Sequence, residues 1–337
     1  MKKWLSFVLA FALLFSIAGC SESAPVETAS NGGGTEESGP KWDTSDEFYM
    51  ITFQNGLEFW QECYQGFEEA ASVYGITVHY TGSETNDISE QVTVLEQVAN
   101  MNPAGICMTT ADSDGLTDAI DAVMEKGIPV VLFDNDSPNS SRYSIISADN
   151  YSAGEYAART MAELLGGEGE VAVVYGVGIT SSTDRANGFI DYIEANCPGM
   201  EVVTTGNSVG DETEAAQIAS GIIQGNPNLA GIYTTNSPRT VGAATAVREA
   251  GLVDQIKIIG FDTDESVLDL IDQGVVYGTV KQGAYNMGYW SFEFLFHLAT
   301  GFVNPVDGWQ ESGIDPLPIS VDAGTTIITK DNLSLFR

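Results

Sequence analysis

From Phe48 onward the chain alternates short, continuously apolar runs with segments whose apolar residues recur every three to four positions. The run 48–53 (FYMITF) precedes a helical pattern over 57–74 that places Trp60, Cys63, Phe67, Ala70 and Tyr74 at helix spacing. The same reasoning predicts strands at 76–81, 104–109 and 128–133, and helices at about 88–100 and 115–126. The alternation pauses over 137–150 and restarts with helix 151–165, strand 170–175, helix 182–196, strand 201–205 and helix 212–224. Strand 230–235, helix 238–250, strand 257–261, helix 264–272 and strand 275–280 follow. A long apolar helix carrying Tyr285, Trp290, Phe294 and Leu298, then strand signals at 318–321 and 325–329, complete the chain. Apolar strands separated by amphipathic helices mean βαβ units and parallel sheets covered on both faces. The fold class is therefore α/β, with two doubly wound parallel-sheet lobes. Ligands of such lobes meet the C-terminal rims of the strands, and a cleft between two rims is the default binding site.

The first 20 residues are of another kind. Lys2 and Lys3 precede an apolar stretch from Leu5 to Ile17 that is short for a bilayer span. It ends in Ser-Ile-Ala-Gly-Cys, which resembles a bacterial lipobox with Cys20 as the lipidated first mature residue. Residues 1–19 are read as a lipoprotein signal peptide, and 20–46, rich in Ser, Gly and Glu, as a flexible tether. Some 25 residues of such coil reach roughly 25–30 Å. No later stretch is apolar for long enough to cross a membrane. The expected location is extracytoplasmic, with a lipid anchor in the bacterial cell membrane.

Charge and residue counts remove whole classes of function. Lys and Arg total 13 against 47 Asp and Glu, a formal charge of −34. Such a surface repels phosphate backbones, so nucleic acid is excluded as a partner. Two histidines, His79 and His297, leave little for metal binding or histidine catalysis, and no CxxC pair occurs. Gly176-Val177-Gly178 lacks the third glycine of a dinucleotide fingerprint. No metal and no cofactor is expected, and no enzyme activity. One catalytic motif requires an answer: Gly206-Asn207-Ser208-Val209-Gly210 matches G-x-S-x-G, with Asp262 and His297 following in hydrolase order. His297, however, lies within the apolar run SFEFLFHLATG, a poor setting for a catalytic base. Cys63, Cys107 and Cys197 leave a disulfide open.

More telling is a set of polar and aromatic residues at strand ends and helix starts. Phe59 and Trp60 open the first helix. Asp134 and Asn135 end strand 128–133, Arg185 opens helix 182–196, Asn236 ends strand 230–235, Asp262 ends strand 257–261, and Gln282 follows strand 275–280. Singly, each suits a cap or turn. Together they are planar donors and acceptors directed at one cleft, with flat aromatic faces beside them. Carboxylates, amides and a guanidinium bind adjacent hydroxyls bidentately, and aromatic faces suit the C–H face of a sugar ring. The mixture fits a neutral polyol.

With these residues placed, the chain resembles the type I periplasmic binding proteins for pentoses and hexoses, the ribose-binding-protein-like branch. The resemblance is carried by Phe59-Trp60 with Gly66, Thr109–Asp114, GIPVVLFDND (127–136), ADNYSAGEYAA (148–158), TDRANGF (183–189), TTNSPRTVGA (234–243), IIGFDTDE (258–265) and GTVKQGAYNMG (278–288). It implies Phe59 and Trp60 against the ring and Asp134, Arg185, Asn236, Asp262 and Gln282 on hydroxyls. It also implies Phe261 as an apolar wall and Thr109 at a further contact. It implies three crossovers between the lobes, near Ser147–Asp149, Gln282–Gly283 and Val306–Gly308. Lobe 1 is then 47–148 plus 283–307, and lobe 2 is 149–282 plus 308–337. Asn135 stands where ribose binders carry an arginine, so the sugar stays unassigned. The implied partners are a small-molecule sugar and a membrane permease of an ABC importer, with the binding protein itself a monomer. Alternatives are a sugar-sensing subunit for chemotaxis or a sensor kinase, a nucleoside-binding lipoprotein, and, further off, a Ser208 hydrolase. A LacI-type regulator shares the core but would need N-terminal DNA-binding helices in place of the lipobox.

Overall fold

The computed structural model describes residues 42–208 and 211–337; Cys20 and the predicted signal peptide lie outside them. In chain order the first half comprises β1 (Glu47–Thr52), α1 (Glu58–Tyr74), β2 (Thr77–Gly82), α2 (Ile88–Ala99), β3 (Gly105–Met108), α3 (Thr117–Met124), β4 (Val130–Phe133) and β5 (Ser144–Ser147). The second continues with α4 (Asn150–Leu165), β6 (Glu168–Tyr175), α5 (Thr180–Asn196), β7 (Gly199–Asn207), α6 (Glu212–Gly225), β8 (Leu229–Thr234), α7 (Ser237–Glu249), β9 (Lys257–Phe261), α8 (Glu265–Asp272) and β10 (Gly278–Gln282). Last come α9 (Ala284–Thr300), the short α10 (Trp309–Ser312), β11 (Ser320–Asp322) and β12 (Thr325–Thr329).

Among the described residues the strands form two six-stranded sheets, ordered β11-β5-β4-β3-β1-β2 and β12-β10-β9-β8-β6-β7. The two orders correspond term by term, so β4 of lobe 1 matches β9 of lobe 2, and β5 matches β10. Pairings are parallel except β10 with β12. Alternate residues of each strand feed opposite apolar layers. In lobe 1, Met50, Cys107 and Phe133 pack under α1 and α9, while Ile51, Ile106 and Leu132 pack under α2 and α3. In lobe 2, Val173, Tyr233 and Phe261 face α4 and α5, and Val174, Ile232 and Ile258 face α6 to α8. Each fully buried Val, Leu, Ile, Phe or Met side chain among them contributes roughly 1.5–3 kcal/mol.

Three sequence expectations need correction. The tether does not extend to residue 46, because Trp42 is docked on lobe 1. Its ring meets Tyr74 and Phe296 edge-on at 5.5 Å, and its Nε1 donates to the Tyr74 carbonyl at 2.9 Å. Strand β5 fills the stretch read as a pause, since Ile145 and Ile146 insert between neighbours that no local pattern announces. The segment 308–322 belongs to lobe 1, not lobe 2. Trp309 lies against Tyr143 at 6.1 Å, and β11 extends the first sheet beside β5. The third crossover therefore falls at Asp322–Thr325 instead of Val306–Gly308. This location also explains the one antiparallel strand. β11 runs toward the cleft like its neighbours, so the chain that continues through Gly324 into lobe 2 must run away from it.

The three crossovers are bonded to one another. Ala323 N donates to Ser147 O at 2.9 Å, Gly283 N to Gly324 O at 3.0 Å, and Asp149 N to an Asp322 carboxylate oxygen at 3.1 Å. A Cβ on Gly283 would collide with the Ala323 carbonyl, so glycine is needed for this close approach. Glycines also set the helices that carry site residues. A Cβ on Gly66 of α1 would strike the Tyr285 carbonyl of α9, and one on Gly154 of α4 would strike the Arg185 carbonyl of α5.

Candidate functional site

Two connected chambers lie between the lobes, at the C-terminal rims of the strands. The outer has a volume of about 540 Å³ and the inner about 280 Å³. Asp134, Asp262 and Gln282 line both and form the neck between them. Phe59 and Trp60 face the outer chamber, while Asn135, Arg185 and Asn236 face the inner. Asp134, Asn135, Phe59 and Trp60 come from lobe 1 and the others from lobe 2, so the cleft is completed only by both.

The local sequence explains each position. Asp134 directly follows β4 and Asp262 directly follows β9, at φ 60° and 68°. Aspartate tolerates this left-handed region better than bulkier residues do. Asn236 serves as the N-cap of α7, accepting from Arg239 N at 3.2 Å, which leaves its Nδ2 for the chamber. Gln282 ends β10 and donates from Nε2 to Asp262 Oδ1 at 3.1 Å. Trp60 meets Phe59 at 5.1 Å, Phe53 at 5.3 Å and Phe133 at 5.8 Å, all edge-on. That packing fixes the indole next to Asp134. The buried Trp60 Nε1 has no hydrogen-bond partner among the described residues.

Arg185 is held rigidly. Its Nε donates to Asn150 Oδ1 at 2.8 Å and its Nη1 to the Thr235 carbonyl at 2.9 Å, and its guanidinium carbon lies 3.6 Å from the centre of the Phe261 ring. The remaining N–H donors face the inner chamber. Behind it, Arg239 donates from Nε and Nη2 to the Ser208 carbonyl at 2.9 and 2.6 Å. Burial lowers the pKa of Arg239, and Arg185 beside it lowers it further. The carboxylates respond to the same environment. Burial raises Asp134 to about 6 against the pull of Arg185, with Asp262 adding to the rise. Burial also raises Asp262, opposed by Arg185 and by the Gln282 hydrogen bond.

Two residues named from sequence stand behind the wall. Phe261 is fully buried and supports the guanidinium from beneath. Thr109 is also fully buried, and its Oγ1 accepts from Asn135 N at 3.3 Å, so it shapes the turn that carries Asn135. Sequence reasoning missed Asn150, which orients Arg185, and Lys281, which pairs with Glu62 across the outer chamber. Asn150 reads locally as the last residue before helix 151–165, and Lys281 as the residue just past strand 275–280.

The hydrolase constellation is not assembled. Ser208 is fully buried and its hydroxyl faces Glu214 at 3.4 Å. His297 sits on α9 of the other lobe, 3.6 Å from Glu293. Among the described residues no cluster of His, Cys, Asp and Glu could hold a metal ion, and no helix is long and apolar enough to cross a membrane.

Comparison with known proteins agrees with this geometry. Residues 48–301 match the family described as periplasmic binding protein domain. The chain belongs to that family. Its membership places the chain outside the cytoplasm, among binding proteins. A solved sugar-binding protein of a sugar ABC transporter from Bacillus halodurans is 42% identical, with a TM-score of 0.83 over 87% of this chain and 100% of that one. A solved arabinose-binding protein from Geobacillus stearothermophilus is 40% identical, with a TM-score of 0.82 over 87% of this chain and 99% of that one. The ribose import binding protein of Bacillus subtilis is 26% identical over 283 residues, 84% of this chain and 88% of that one.

Proposed function

We propose that the protein is the solute-binding lipoprotein of a sugar ABC importer. It captures a neutral monosaccharide, or a polyol of similar size, at the neck between the lobes and presents the closed form to a membrane permease. It acts as a monomer, tethered through a lipidated Cys20. The observation that carries this reading is the convergence of Asp134 from lobe 1 with Asp262, Gln282 and Arg185 from lobe 2 on one cavity. Carboxylates, an amide and a guanidinium at a single neck supply paired donors and acceptors for vicinal hydroxyls. A ligand touching both lobes stabilises the state in which they are together. The identity to the arabinose-binding relative makes L-arabinose the first sugar to try.

The test is a thermal-shift screen with L-arabinose, D-ribose, D-xylose, D-glucose, D-galactose, xylitol and adenosine, followed by calorimetry. A ligand bound only by the native state raises the melting temperature. Asp262→Asn should weaken the best binder by about 1–3 kcal/mol, on the order of ten- to a hundredfold. Unchanged affinity in that variant, or a response to adenosine alone, overturns the reading.

A further inference from the structure

The outer chamber is larger than a single monosaccharide at the neck requires. The inner chamber alone, at about 280 Å³, approaches the lower end of small-ligand cavities, roughly 300 Å³. A ring at the neck, bonded to Asp134, Asp262, Gln282 and Arg185, also reaches Phe59 and Trp60. It leaves unclaimed the far part of the 540 Å³ space, walled by Leu57 and Gln65 from lobe 1 and by Leu268, Leu335 and Phe336 from lobe 2. Glu62 on α1 and Lys281 on β10 form an ion pair along the wall of this space, beside the crossover at Gln282–Gly283.

The lining indicates what would fit. Leu57, Leu335 and Phe336 offer apolar surface, and Gln65 and Glu62 offer hydrogen-bonding groups, the same pairing of apolar face and polar edge that suits a sugar at the neck. Glu58, Glu62, Asp264 and Glu265 face the chamber, and the one cation lining it among the described residues, Lys281, is engaged by Glu62. An anionic substituent such as a phosphate or a uronate would meet repulsion there.

We propose that the outer chamber is a second carbohydrate subsite, so that the protein also binds neutral disaccharides whose terminal unit is the sugar held at the neck. The inference rests on the sugar-binding reading above, with the first unit at the neck and the second extending outward past Trp60 toward Leu335. Leu335 lines the chamber and is 79% exposed, so a larger side chain can stand there without disturbing the core.

Calorimetry on the mature chain would compare L-arabinose, D-xylose, D-glucose and D-galactose with arabinobiose, xylobiose, cellobiose and galactobiose, with glucuronic acid and glucose 6-phosphate as anionic controls. At least one neutral disaccharide should bind within tenfold of its own monosaccharide, and the anionic sugars should not. Leu335→Trp should weaken that disaccharide tenfold or more and leave the monosaccharide within twofold. Gln65→Ala should weaken the disaccharide about fivefold with the same selectivity. Monosaccharide binding with no disaccharide binding overturns the second subsite and leaves the first reading standing. Equal effects of Leu335→Trp on both ligands, or preferred binding of the anionic sugars, also overturn it. Absence of binding by any sugar in the panel overturns both readings.

Discussion

Asp134 and Asp262 occupy the same position in the two lobes. Each directly follows the third strand from the edge of its sheet, β4 in one and β9 in the other. Each has a positive φ, and each amide donates to the adjacent strand, Asp134 N to Ile146 O at 3.1 Å and Asp262 N to Val280 O at 2.9 Å. The repeated topology thus brings two carboxylates, one from each lobe, to the same neck of the cleft, within electrostatic reach of Arg185. Such a pair is costly to keep ionised without a ligand, and that cost is measurable.

The titration of Asp134 should affect the empty protein and the complex in opposite directions. Its value is raised from 3.8 to about 6, chiefly by burial, so the fold favours the neutral acid. The stability this residue contributes is fully present below about pH 4 and is lost as pH rises through about 6, a change of about 2–3 kcal/mol. Carboxylates held low by hydrogen bonds, such as Glu90 and Asp211, change in the reverse sense, so the comparison must be with a variant. Asp134→Asn should melt higher than the parent at pH 7.5 and lose that advantage near pH 4.5. Sugar affinity of the parent should fall as pH drops below 6, because the acceptor becomes a donor. Equal melting of parent and variant across this range would refute the assignment.

Backbone conformation separates two roles of Asp262. At φ 68° an alanine pays a steric cost of roughly 1–2 kcal/mol that asparagine and glycine largely avoid. Asp262→Asn, Asp262→Gly and Asp262→Ala should all lose affinity, but only the last should also lose stability by that amount. Chemical denaturation of the three variants without ligand gives the answer.

Much of the architecture could be read from local pattern because strands and helices advertise themselves by period. Asp134 and Asp262 were accessible by the same logic, since each ends an apolar run. What escaped was set by distant partners. Ile145 and Ile146 become a central strand only because β11, some 175 residues later, pairs beside them. Lys281 acquires meaning through Glu62, and the two are 219 positions apart. The fate of residues 308–322 was equally hidden, because an edge strand joining one sheet or the other has the same local composition. Trp42 gives no warning of its docking, because a lone aromatic in a polar segment carries no periodic signal.

The cysteines should be silent. Cys63, Cys107 and Cys197 are free and buried. Burial raises the Cys107 thiol to about 12 and pushes Cys63 well above its ordinary value. The thiolate is the reactive form, so the native protein at pH 8 should resist iodoacetamide, and full labelling should require denaturant. Dithiothreitol should not alter the melting temperature. Rapid labelling of Cys63 in the native state would show that α1 opens from the core.

The Glu62–Lys281 pair ties α1 to β10 across the outer chamber, and both side chains are partly exposed. Pairs of this kind contribute about 0.2–1 kcal/mol. If it favours the joined lobes, Glu62→Lys should weaken sugar binding by up to about fivefold, and Lys281→Glu should do likewise. The double reversal should recover most of the loss, and 1 M salt should shrink the difference between parent and single variants. Single variants whose losses simply add in the double variant would show that the two residues act independently.

Glycine substitutions on two helices should have opposite signs. Gly154 on α4 lies against the backbone of Arg185, and a Cβ there would collide with the Arg185 carbonyl. Overpacking of this sort costs typically 1–3 kcal/mol. Because the obstacle is backbone, α5 must shift and carry Arg185 with it, so Gly154→Ala should lose sugar affinity as well as stability. Gly221 on α6 has open space where a methyl group would stand, with nothing within 4 Å, and keeps an ordinary helical backbone. Gly221→Ala should therefore stabilise by about 0.5–1 kcal/mol through helix propensity alone, with affinity unchanged. Urea denaturation and calorimetry on the pair test whether the spacing between α4 and α5 is what places the guanidinium. Intact affinity in a destabilised Gly154→Ala protein would separate the packing from the site.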